Sequence, residues 1–181
     1  MRRPVPAFPW CLSLTFLLCV SQLVGCADES AGGQGLTFDA CAPLAIGVSP
    51  ELTAEQMEGV TDALAMWNQA AGTTLGPMTM PATATPLVPL TFQAAAAAFH
   101  GLYDSRSGQI YVNQDLTDVA PLRITIAHEI GHAFGLPHVG ASVRRSLMNS
   151  GNTTIGITPE DVDALAAIWG HCAPATPAPA P

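Results

Sequence analysis

Between residues 44 and 170 short apolar blocks alternate with longer stretches whose apolar residues recur every three or four positions. The short blocks read as strands and the periodic stretches as helices. Leu44–Val48 is the first block, closed by Ser49-Pro50. Thr53 and Gln56 then have the spacing of a capping box. Behind them Met57, Val60, Leu64, Trp67 and Ala71 line one face of a helix that Gly72 ends. Residues 73–89, rich in threonine, proline and glycine, read as loop, and Leu87–Gln93 as a strand with Pro89 near its start. The alanine run 94–98 suits a helix by composition and a sheet by context. Leu102-Tyr103 and Gln109–Asn113 flank a turn-rich segment, 104–108, and predict a hairpin. Pro121 suits the first turn of a helix running to about Phe134. Thr158, Pro159, Glu160 and Asp161 supply an N-cap, a first-turn proline and first-turn acids for a last helix. Its buried face would be Val162, Leu165, Ala166, Ile168 and Trp169, and Gly170 would stop it. This order predicts one α+β domain over residues 36–172.

The second of these helices carries the chemistry. Residues 128–138 read H-E-x-x-H-x-x-G-x-x-H. Helical positions i and i+4 share a face, so His128 and His132 can aim their imidazoles at one ion. Gly135 can take a positive φ and turn the chain back to deliver His138. Three protein ligands with an open fourth position mark a catalytic rather than a closed zinc site. Glu129 lies beside the ligands without being one, where a general base is needed. Ten residues past His138 stands Met148, in Ser146-Leu147-Met148-Asn149-Ser150. Taken alone, a methionine is more often core filler than part of a site, and a lone histidine is an ordinary polar residue.

The motif together with Met148 resembles the metzincin clan of zinc endopeptidases, in which that methionine forms a Met-turn, an apolar floor under the metal. The resemblance covers nearly all of residues 40–172. It implies a metzincin-type catalytic domain with a twisted mixed sheet, a long helix, a zinc helix, a Met-turn and a C-terminal helix. It also implies one catalytic Zn²⁺ held by His128, His132 and His138, with Glu129 as general base. In the clan an edge strand above the cleft pairs with extended substrate, and residues 98–103 are the candidate here. Residues 149–157 would wall the pocket beyond the cleaved bond. The last helix resembles that of matrixins in particular. Two departures stand against that subfamily: Val139 follows the third histidine where matrixins carry serine, and their Pro-x-Tyr wall is missing. Asn149 and Ser150 follow Met148, so the turn offers no tyrosine ligand of the astacin or serralysin kind. His100 and His171 have no motif around them, and no residue cluster announces structural calcium.

The chain ends change the setting. Residues 1–25 resemble a secretory signal, with Arg2 and Arg3 ahead of a 13-residue apolar run, Leu12 to Val24, that is short for a bilayer span. Leu23-Val24-Gly25-Cys26 resembles a bacterial lipobox, which implies lipidation of Cys26 and export to the cell envelope, in a Gram-negative source to the outer membrane. A plain signal with an incidental cysteine is the alternative. Residues 27–35 would be a flexible tether and 173–181, made of Pro, Ala and Thr, a tail. Cys41 and Cys172 remain, an even pair that reads as a disulfide in an exported protein. The alternative, a latency thiol at Cys41 as in the matrixin cysteine switch, lacks that motif around it.

Without the signal, four arginines face 14 acids with no lysine, a net charge of about −10. That excludes nucleic acid as a natural partner, and the membrane would be reached through lipid rather than charge. The expected partner is a protein or peptide substrate, and the expected state a monomer. Two rival readings are a non-catalytic peptide-binding lipoprotein on the same fold and a latent or narrow-specificity protease.

Overall fold

The computed structural model describes residues 35–82 and 86–172. Cys26, the signal, the tether before Gly35 and the 173–181 tail lie outside the described residues. Strands β1 (Leu44–Val48), β2 (Leu75–Thr79), β3 (Leu87–Gln93), β4 (Gly101–Asp104) and β5 (Gln109–Asn113) form one sheet in the order β2-β1-β3-β5-β4. All neighbours are parallel except β4, which lies antiparallel on β5 at one edge.

Three helices, α1 (Ala54–Ala71), α2 (Val119–Ala133) and α3 (Pro159–Trp169), complete the fold. The α1 capping box forms, with the Gln56 N–H donating to Thr53 Oγ1 and the Thr53 N–H to Gln56 Oε1. Its buried face, Val60, Ala63, Leu64 and Trp67, packs on α2. Trp67 ties the two helices, donating Nε1–H to the Ala127 carbonyl at 2.9 Å and meeting Phe134 edge-on. Helix α2 starts at an Asp118 N-cap and is buried around most of its circumference, so its position is fixed from several sides. At the other end of the chain, Cys41 and Cys172 form a disulfide that joins the segment before β1 to the end of α3.

The structure corrects several sequence expectations. Residues 73–89 are not wholly loop, because β2 runs through them. Its Gly76 and Pro77 conceal a strand, yet β2 pairs on one side only, and an edge strand tolerates proline. The alanine run 94–98 is neither helix nor strand. Strand β4 begins at Gly101, so residues 98–100 of the expected edge strand lie before it. On α3, Ile168 is 47% exposed, and Asp161, read only as a first-turn acid, is fully buried.

Candidate metal centre

Helix α2 ends one turn past His128. Its last residue is Ala133, and Gly135 follows at φ 91°, a left-handed conformation that glycine adopts without steric cost. The turn brings His138 back to the helix. The Nε2 atoms of His128, His132 and His138 lie 3.1 Å from one another in every pairing. Three nitrogens bound to one tetrahedral zinc at about 2.0–2.1 Å would be roughly 3.3 Å apart, so the spacing fits one small cation.

The tautomers agree with that reading. His128 Nδ1 meets the Leu147 carbonyl at 2.7 Å and His132 Nδ1 meets the Leu136 carbonyl at 2.8 Å. A carbonyl only accepts, so each Nδ1 carries the hydrogen and each Nε2 presents a lone pair. Converging lone pairs repel one another and attract a cation. Burial pushes the His128 imidazole down to about 4, against a raising effect from the Leu147 carbonyl, and keeps it neutral. Neutral imidazole is the form that binds metal. These carbonyl contacts also fix ring orientation, the usual role of the outer partners of metal-binding histidines.

Met148 is buried, 1% exposed, against the turn of α2 that carries Gly131. Gly131, on the turn of α2 between the first two histidines, makes room for it: a Cβ there would come 2.5 Å from Met148 Sδ. A polar network holds the surrounding turn. The buried Asp161 carboxylate accepts from Ser146 Oγ, from the Leu147 N–H at 2.8 Å, from the Thr158 N–H at 3.0 Å and from Arg144. Ser146 Oγ in turn accepts the Met148 N–H. Asn149 points inward and closes the turn through the Ser146 N–H and the Val139 and Arg144 carbonyls. Asn152 donates to the Leu147 carbonyl, the atom that also holds His128. Burial alone would raise the Asp161 carboxyl, but hydrogen bonds from Ser146, Thr158 and Leu147 outweigh it and lower the net value.

Asp161 and Gly131 were not legible as site residues in the sequence, and Asn152 was read there only as part of a pocket wall, not as a partner of the Leu147 carbonyl. Asp161 sits three residues after the Thr158 cap and forms the expected first-turn contact. Its second task, across 14 or 15 residues, has no local signature.

Glu129 is 1% exposed and faces the sheet edge, its Oε2 accepting the Tyr103 N–H at 2.8 Å. The Tyr103 hydroxyl points elsewhere, donating to the Leu36 carbonyl at 2.7 Å, and burial, reinforced by Asp104, pushes it up to about 12. His100 and His171 stand outside the triad. Residues 154–157 line a cavity of about 510 Å³ together with Arg144, Arg145 and Glu160, and none of the three histidines lines it.

By sequence, neither a family model nor a curated protein matches the chain. Among solved structures the fold is similar to the crystal structure of myroilysin, with a TM-score of 0.55 at 14% identity, covering 80% of this chain and 90% of that chain. The fold is of the metzincin type. At this identity the likeness concerns architecture, and the chemistry rests on the residues above.

Proposed function

We propose that the protein is a zinc-dependent endopeptidase of metzincin type, with His128, His132 and His138 as ligands and Glu129 as general base. The observation that carries this reading is the convergence of the three Nε2 atoms at 3.1 Å. The presence of Glu129, buried on the same helix, favours an enzyme over a binding protein that keeps only the fold. Bound zinc would supply a water of pKa near 7 and polarise the scissile carbonyl. Glu129 takes the proton of the attacking water and later delivers it to the leaving amine nitrogen as the C–N bond breaks. His128 and His132 keep their Nδ1 hydrogens on backbone carbonyls throughout, so neither exchanges a proton with substrate. The free edge of β4 pairs with extended substrate backbone, a mode that gives affinity with little sequence preference. The setting proposed for the mature protein is the cell envelope, with lipid on Cys26, residues 27–35 as the tether and the domain as a monomer.

Cleavage of an unstructured protein such as casein tests the reading. Turnover by the purified mature protein should disappear on chelation, return with zinc, and be absent in Glu129→Ala. Folded protein that holds one zinc per chain and cleaves nothing would favour the peptide-binding or narrow-specificity readings.

A further inference from the structure

Strand β4 meets Glu129 at two places. The Asn113 N–H donates to the His100 carbonyl, which sets the antiparallel alternation between β4 and β5. By that alternation Leu102 and Asp104 turn their backbone groups toward β5, and Gly101 and Tyr103 turn theirs to the free edge. The Tyr103 N–H uses that direction to reach Glu129 Oε2 at 2.8 Å. Gly101 approaches the same side chain from two residues away. A Cβ at position 101 would lie 2.9 Å from Glu129 Oε1, 3.0 Å from Glu129 Cγ and 2.8 Å from Thr125 Cγ2. Real Cβ atoms essentially never come as close as the 2.8 and 2.9 Å contacts. Gly101 is not among the glycines with positive φ, so the position calls for glycine on grounds of space, not backbone conformation.

We propose that Gly101 and the Tyr103 amide are the positioning elements of the general base, the one by leaving room for the Glu129 carboxylate and the other by holding it. The proposal rests on the reading of Glu129 as general base. A carboxylate buried this deeply needs hydrogen bonds in place of water. A donor on the backbone of a paired strand holds it without ordering a second side chain. Because β4 is also the edge offered to substrate, one strand sets the register of the peptide and the aim of the base. A methyl group at position 101 would push the carboxylate out of line while leaving the three histidines where they are. Displacing a reacting group by about 1 Å costs on the order of 100-fold in rate.

Steady-state kinetics of the mature protein on a peptide containing a mapped casein cut site provide the test, with metal content measured alongside. Gly101→Ala should keep one zinc per chain, leave KM unchanged and lower kcat by about 100-fold. In a Glu129→Gln background it should lower the residual rate no further. Should Gly101→Ala fold poorly, Gly101→Ala with Thr125→Ser removes the Thr125 Cγ2 contact and leaves the one with Glu129, and kcat should still fall. Wild-type kcat in either zinc-loaded variant would overturn the proposal. So would an equal fractional loss with glutamate and glutamine at position 129. If Glu129→Gln alone turns over like the wild type, the general-base reading itself falls, a result distinct from any failure at Gly101.

Discussion

The floor and the roof of the candidate site are built by opposite means. The floor, Ser146 to Asn152, is held by side chains: Asp161, Ser146, Asn149 and Asn152 each satisfy two or more partners. The roof, β4, acts through a backbone N–H and through the side chain that Gly101 lacks. The difference follows from what each must do. A metal ligand set tolerates little displacement, and an irregular turn has no ladder of backbone bonds to hold it, so buried side chains supply the partners. Strand β4 keeps its backbone regular and gives one amide of its outer edge to Glu129. Damage to the floor should therefore appear in stability and metal content together, and damage to the roof in rate alone.

Asp161→Ala gives the largest expected effect. It leaves Ser146 Oγ, the Leu147 N–H and Arg144 without their shared acceptor. Breaking a buried charge network by removing one partner costs about 3–5 kcal/mol. Denaturant unfolding should show that loss, and zinc affinity should fall with it because the Leu147 carbonyl that aims His128 shifts. A destabilised variant with unchanged zinc affinity would separate the turn from the ligands.

Gly131→Ala comes next. Its Cβ would intrude on Met148 Sδ at 2.5 Å and Cε at 3.2 Å. Overpacking of this kind costs about 1–3 kcal/mol. Met148→Ala in the same chain should recover part of that loss, because the methyl group then has somewhere to go. Absence of recovery would show that the contact with Met148 is not what the added methyl group disturbs.

Thr53→Ala is the remote control. Loss of this cap should cost about 1 kcal/mol of unfolding free energy and leave zinc content and kcat alone.

The smallest effect near neutral pH is the titration of Asp161, because its folded value lies below the ordinary carboxyl value of 3.8. A lowered carboxyl stabilises the fold fully above the unfolded value and loses that contribution as pH falls through the folded one. Urea midpoints of the wild type should therefore drop below about pH 4 more steeply than those of Asp161→Asn. Equal slopes would assign the acid sensitivity to other carboxylates.

What the sequence made legible was local. The capping box of Thr53 and Gln56, the Trp67 face of α1 and the spacing of the three histidines are all written within a few residues, as periodicity or as a motif. Strand β2 was hidden because Gly76 and Pro77 suit an edge strand as well as a loop. Gly101 and Glu129 are 28 residues apart in sequence, and no pattern in either segment says that they touch. The same holds for Asp161 beneath the Met148 turn, where a helix-capping acid serves a distant loop as well. Chain topology makes these contacts, so local pattern does not reveal them.

X-ray absorption at the zinc edge on the mature protein tests the metal centre most directly. The account predicts one zinc per chain with three imidazole nitrogens and one light, exchangeable ligand, all at about 2.0–2.1 Å. A protein that takes up no zinc, or a shell closed by four protein ligands, would contradict it.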